Sequence, residues 1–209
     1  MYRRCSRAQS GRSRVGARSA RGYASPVASR ILGVNGSIRA GSTADRALQL
    51  ALAALEGAGA QCETFDVGCL PLLDGRPEER YPPTVSAWRA AVEAADGFVL
   101  TIPTFHGSMP GALKNALDFL DVPQAGGKPF ALIGVARGDA EPGVTDITRV
   151  LRHIGAVAAV PDVVISRSTD HWGTGPEPDN TGVAVAIRKV ADDLLNLCAL
   201  SSEGKLPRP

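Results

Sequence analysis

The sequence predicts an α/β fold, a three-layer sandwich whose five-stranded parallel sheet runs in the order 2-1-3-4-5 with helices on both faces. Three observations point there. Short β-type apolar runs alternate five times with longer segments of helical period, the pattern of parallel strands joined by right-handed helical crossovers. The chain has 209 residues, 44% of them hydrophobic, which suits one well-cored domain rather than two. The least ordinary loops follow strands one, three and four, where an open α/β sheet takes its ligands.

Residues 30–34, with Ile31, Leu32 and Val34, read as a buried strand. Residues 43–57 carry Ala47, Leu48, Ala51 and Leu55 at helical spacing, and Gly57 and Gly59 stop the helix. Residues 62–67 alternate like a second strand, followed by a loop over 68–83 rich in Pro, Gly and charge. Residues 84–95 place Val85, Trp88, Ala91 and Val92 on one helical face. Residues 97–102 form a continuous apolar run, as expected of a central parallel strand. Pro110 opens a helix over 110–120, a position whose missing N–H costs nothing. A fourth strand over 130–135, a helix over 143–154 and a fifth strand over 157–165 follow. A loop over 166–179 leads into a last helix over 181–200. The expected division is a disordered basic leader over 1–28, one domain over 29–200 and a disordered tail over 201–209.

The net charge of +2 is unevenly spread. Arg3, Arg4, Arg7, Arg12, Arg14, Arg18, Arg21 and Arg30 precede the first acid, Asp45. Removing these eight from 23 basic residues leaves 15 against 21 acidic ones, a net of −6 for residues 31–209. The folded part is therefore mildly acidic, and no nucleic-acid partner is expected. The leader is Arg-rich, Ser-rich and free of acid, the composition of a mitochondrial or plastid transit peptide. The alternative is a plain basic leader, or a start codon set too far upstream, on a cytoplasmic protein. No apolar run is long enough to span a membrane, so no membrane partner is expected. Cys5, Cys62, Cys69 and Cys198 form no C-x-x-C pair and stand in no His cluster, which argues against a metal site or a disulfide framework.

Three loops carry candidate chemistry. The first, residues 35–43, follows a strand and opens a helix. Its glycines let backbone approach an anion, Ser37, Ser42 and Thr43 offer hydroxyls, and Arg39 supplies a planar cation suited to phosphate. Gly36-x4-Gly41-Ser42-Thr43 nearly matches a nucleotide-binding P-loop but has Ser42 where a triphosphate site needs Lys. A monophosphate remains attractive, and an ordinary capped βα turn is the bland alternative. The second loop offers Pro103, Thr104, Phe105, His106 and Gly107, a flat, partly polar surface suited to a planar heterocycle. Its bland reading is a loop histidine beside a Phe turned into the core. The third offers Ala136, Arg137 and Gly138, where Gly138 can expose N–H groups to a ligand edge. Solvated surface charge is the simpler reading of Arg137.

Together these residues resemble the NADPH-dependent FMN reductase family, the flavodoxin-like NAD(P)H:flavin, quinone and azo reductases. The resemblance covers roughly residues 29–200. It rests on Gly36-Ser37-x-Arg39-x-x-Ser42, on Pro103-Thr104-Phe105-His106-Gly107, and on Pro110-Gly111-Ala112-Leu113-Lys114-Asn115-Ala116-Leu117-Asp118. It implies that Ser37, Arg39, Ser42 and Thr43 hold the FMN phosphate. It places the isoalloxazine on Pro103, Thr104, Phe105, His106 and Gly107, with its far edge at Ala136, Arg137 and Gly138. Two positions depart from the family: Phe105 stands where Tyr is common, and Arg137 where small residues are usual.

The resemblance further implies a ping-pong oxidoreductase. Hydride passes from NADPH or NADH to bound FMN and then to a small acceptor: a flavin, a quinone, an azo compound or a metal oxyanion. No catalytic side chain and no metal are required, because the cofactor carries the chemistry. It implies a homodimer or homotetramer. Two other readings stay open: a flavodoxin-type electron carrier, which the Arg39 loop disfavours, and a non-flavin α/β binding module.

Overall fold

The computed structural model describes residues 28–158 and 162–206, so the leader expected over 1–28 lies almost wholly outside the described residues. Strands β1 (Arg30–Asn35), β2 (Gln61–Phe65), β3 (Gly97–Pro103) and β4 (Pro129–Val135) alternate with helices α1 (Thr43–Gly57), α2 (Pro83–Ala94), α3 (Gly111–Leu117) and α4 (Val122–Ala125). Then come α5 (Glu141–His153), β5 (Val157–Ala158), β6 (Val163–Ile165) and α6 (Thr181–Ser202). Among the described residues every strand pairing in the sheet is parallel, and the order is β2-β1-β3-β4-β5 with β6 also on β4. The expected sheet order is thus the observed one.

The sheet buries apolar side chains on both faces. One face sets Leu32, Leu100, Ile102 and Leu132 against Trp88 of α2, Leu113 of α3 and Ile147 of α5. The other sets Ile31, Val99 and Ile133 against Leu48 and Leu55 of α1 and Ile187 and Leu194 of α6. Strands covered on both sides need no polar alternation, which is why β3 and β4 are buried at every position. Leu113, Leu117 and Leu120 are all buried in this core, so packing on the sheet accounts for that helical face.

Several boundaries differ from the sequence expectations, each for a local reason. β2 ends at Phe65 because the Asp66 side chain accepts the Gly68 N–H (2.9 Å) and turns the chain into a 3-10 turn over Val67–Cys69. α2 starts one residue early, with Pro83 in its first turn. The helix expected over 110–120 is α3, and Asp121 caps the separate α4, with the Gln124 side chain accepting the Asp121 N–H in return. The strand expected over 157–165 is two short ladders, β5 and β6, each on β4. The charged Asp162 falls inside that run and lies outside both ladders. α6 continues through Ser202, into the segment assigned to the tail, and residues to Leu206 are described.

Burial pushes the thiols of Cys62 and Cys198 up to about 12, helped by the nearby carboxylates Glu56 and Asp96 respectively. Both stay protonated thiols near neutral pH, and the thiolate is the reactive form. Alkylation of the native protein with iodoacetamide at about pH 8 should leave Cys62 and Cys198 unmodified, and denaturation should expose both. Peptide mapping by mass spectrometry checks this.

Candidate functional site

The sheet order reverses between β1 and β3, and the loops leaving β1, β3 and β4 lie side by side beyond the strand ends. The first loop is fixed to its neighbour before it turns. The Gly36 N–H donates to the Thr101 carbonyl at 2.8 Å. The Asn35 side chain accepts from the Ser37 N–H (2.9 Å) and from the buried Thr101 hydroxyl (3.2 Å). A Cβ on Gly36 would lie 2.7 Å from the Thr101 oxygen and 2.9 Å from Leu113, so only glycine allows this crossing.

Beyond that point the loop presents donors. Ser42 caps α1, its hydroxyl accepting the Asp45 N–H at 3.1 Å and keeping its own proton to give. Ser37 accepts the Arg39 N–H at 3.2 Å in the same way. The N–H groups of Ile38, Ala40, Thr43 and Ala44 have no acceptor among the described residues. Arg39 is exposed and makes no ion pair among them. Like those of Ser37 and Ser42, the Thr43 hydroxyl accepts, from the Arg46 guanidinium at 3.2 Å, and keeps its own proton.

The second loop is a two-residue hairpin. Phe105 and Ser108 exchange backbone hydrogen bonds of 2.9 and 3.1 Å. His106 (φ 52°) and Gly107 (φ 78°) occupy its turn, the positive-φ pair of a type I′ turn. Histidine is among the side chains that tolerate this conformation. The Ser108 hydroxyl donates to Asp146, which also binds Arg149, and this tie to α5 holds the Asp146 carboxyl below the usual range. Phe105 is 59% exposed and is not turned into the core. Thr104 does face inward: its N–H donates to Val135 (3.1 Å) and its hydroxyl to the Ala140 carbonyl (3.0 Å). The surface expected from Thr104, Phe105 and His106 therefore narrows to Phe105, His106 and Gly107, with Pro103 buried at the end of β3.

In the third loop Ala136 is buried and its carbonyl accepts from Ser168, while Gly138 accepts from Arg167 at 2.8 Å. Ser166 braces the loop, accepting the Ala140 N–H at 2.9 Å and donating to Asp139 at 3.2 Å. The N–H groups of His106, Gly107, Arg137, Gly138 and Asp139 have no acceptor among the described residues. A Cβ added at Gly41, Gly107 or Gly138 would meet nothing within 4 Å, so bare backbone faces open space in all three loops.

The donor chemistry fits FMN. Hydroxyls, free N–H groups and an unpaired guanidinium at a helix start suit a phosphate. An exposed ring and two sets of N–H groups suit a flat heterocycle with carbonyl edges.

Four positioning residues escaped the sequence reading. Asp45 does carry a legible signal, an acid three residues after a capping Ser. Asn35, Ser108 and Arg46 do not. The Arg46 Nη1 atom donates to the carbonyls of Gly173 and Gly175, both at 2.6 Å, and its guanidinium lies 5.4 Å from the Trp172 ring centroid. It staples a loop more than 120 residues away to the start of α1, a contact that local spacing does not encode.

Comparison with known proteins identifies a family and a fold. A model of the NADPH-dependent FMN reductase family matches residues 29–170. A 2-hydroxy-1,4-benzoquinone reductase of a Burkholderia species is 33% identical over 150 residues, spanning 70% of this chain and 79% of that protein. An NAD(P)H-dependent FMN reductase of Pseudomonas aeruginosa is 36% identical over 116 residues, 52% of this chain and 60% of the relative. The alignment with an NADPH azoreductase of a Bacillus species is shorter, 42% identical over 36% of this chain and 44% of that enzyme. Among solved structures, the flavoenzyme NAD(P)H:(acceptor) oxidoreductase FerB of Paracoccus denitrificans shares the fold at a TM-score of 0.73, with 21% identity over 86% of this chain and all of FerB. Fold and site define a flavodoxin-like oxidoreductase whose cofactor is FMN. The chain belongs to the NADPH-dependent FMN reductase family.

The Gly36 crossing is testable. Gly36→Ala should destabilise the protein by roughly 1–3 kcal/mol, because the Thr101 carbonyl it meets is fixed in β3. Urea unfolding followed by fluorescence checks the size.

Proposed function

We propose that the three loops hold one FMN and that the chain reduces a small acceptor at the expense of NADPH or NADH. The first loop carries the phosphate on Ser37, Arg39, Ser42 and the start of α1. The hairpin at Phe105, His106 and Gly107 and the turn at Arg137 and Gly138 carry the ring. The observation that supports this most is the set of unpartnered donors gathered beyond three adjacent strand ends. FMN, when bound, supplies the hydride chemistry.

The protein's contribution is position and electrostatics. Arg39 and the α1 N-terminus neutralise phosphate charge, the helix end adding about 0.3–1 kcal/mol at an exposed site. The N–H groups of the second and third loops would hold the ring's carbonyl edges, where donors favour negative charge. The Ser108–Asp146 bond keeps the hairpin from drifting. A cleft of about 530 Å³ beside the hairpin, flanked by Ser108, Thr145 and Arg149, leaves room for a second molecule. The nicotinamide and the acceptor use the open face in turn, a ping-pong sequence that needs no side-chain acid or base. Quinones, flavins and azo compounds are the acceptor classes that the relatives' names suggest.

The reading places the site on one domain over residues 29–200, with its last helix running on to Ser202. It carries with it a homodimer or homotetramer, through a surface other than the buried Leu113, Leu117 and Leu120. No helix among the described residues is long and apolar enough to cross a membrane. The protein would work in a mitochondrion or plastid if the basic leader is a transit peptide, and in the cytoplasm otherwise.

The purified protein should be yellow or take up FMN, and anaerobic NADPH should bleach it at once. Ser37→Ala with Arg39→Ala should release the flavin while circular dichroism stays unchanged. A colourless protein that takes up no FMN, or a double variant with undiminished flavin affinity, overturns the assignment.

A further inference from the structure

We propose that Asp45 is a specificity-determining residue of the first loop: its carboxylate opposes the charge of a bound phosphate and keeps phosphorylated flavin exchangeable. The inference rests on the reading of that loop as the FMN phosphate site.

Asp45 lies in the first turn of α1, with its backbone N–H on the Ser42 hydroxyl at 3.1 Å. Its side chain folds back over the loop, and Oδ2 accepts the Gly41 N–H at 2.8 Å. Gly41 adopts a left-handed backbone conformation (φ 68°) and stands in the middle of the loop. An anionic oxygen of the protein's own thus already occupies one of the loop's donors, the role a phosphate oxygen would otherwise take.

The charge count sharpens the point. Between Gly36 and Asp45 the loop holds one cation, Arg39, and one anion, Asp45. The next cation along the chain, Arg46, is committed to the Gly173 and Gly175 carbonyls and to Thr43. Those acceptors are uncharged, so Arg46 keeps its charge beside Thr43, and Asp45 offsets one of the two cations that a phosphate would meet there. A phosphate monoester carries between one and two negative charges at neutral pH. The penalty falls on the phosphate alone: a flavin without one occupies the same ring site and does not feel Asp45.

Riboflavin therefore serves as the internal control. Affinities for FMN and riboflavin are measured by quenching of flavin fluorescence on apoprotein of the wild type, Asp45→Asn, Asp45→Glu and Arg39→Ala. Asn keeps an acceptor for the Gly41 N–H and removes the charge, so the loop stays folded. Two charges a few ångströms apart at a solvated surface shift an equilibrium severalfold, and the phosphate brings more than one, so Asp45→Asn should tighten FMN on the order of tenfold. It should leave riboflavin unchanged, and Asp45→Glu should bind both flavins as the wild type does.

Were Asp45 only a helix cap, Asp45→Asn would lower the melting temperature slightly and leave the FMN-to-riboflavin ratio where it was. That result, or an equal shift for both flavins, overturns the proposal. Arg39→Ala separates this failure from a deeper one. If Arg39→Ala collapses the ratio while Asp45→Asn leaves it flat, only the role of Asp45 falls. If the wild type binds both flavins equally and Arg39→Ala changes nothing, the phosphate site itself is misplaced and the proposal falls with it.

Discussion

The bond from the Gly36 N–H to the Thr101 carbonyl is where the chain leaves the sheet, and the site depends on it. β1 lies between β2 and β3, so the segment after β1 must turn away across the end of β3 before α1 can pack on the opposite face from α2 and α3. The crossing is tight enough that a single methyl group would meet the Thr101 oxygen. Asn35 closes the corner by bonding the Ser37 N–H and the Thr101 hydroxyl together. With the corner fixed, the next residues are free to point their donors outward and Ser42 can begin the helix.

The other two loops are held by the same logic from neighbouring strands. Thr104 spends its backbone and its hydroxyl on β4 and on Ala140, which leaves the hairpin tip as the presented surface. Ser166 and the Arg167 and Ser168 N–H groups brace the third loop from beyond β6. Side chains that anchor are therefore distinct from groups that face a ligand. That distinction changes what Thr104 and Ala136 contribute: the Thr104 hydroxyl spends its proton on the Ala140 carbonyl and Ala136 is buried. Backbone N–H groups and a few exposed side chains remain, an arrangement suited to a cofactor that brings its own chemistry.

Much of this was legible in the sequence because doubly covered strands and amphipathic helices have strong periodic signatures. β3 and β4 read as unbroken apolar runs, and α1 is read to the residue, because Ser42 caps one end and the Gly57–Gly59 stretch ends the other. The weak points were physical too. The run over 157–165 looked continuous because apolar content masks the charged Asp162, which lies outside both ladders. Phe105 was ambiguous because an aromatic in a loop reads equally as core or surface, and only the exchanged bonds with Ser108 decide that it points out. Arg46 was invisible, since its partners at Gly173 and Gly175 are distant in sequence and offer only carbonyls.

The central claim is that unpartnered amides in three loops are the cofactor's binding groups. Amide chemical-shift mapping on 15N-labelled apoprotein titrated with FMN tests it directly. The account predicts the largest shifts at Ile38, Ala40, Thr43, Ala44, His106, Gly107, Arg137, Gly138 and Asp139, with small changes at the opposite end of the sheet around Arg30, Gln61 and Gly97. Shifts centred on that opposite end, or on the first loop without the second and third, would contradict it.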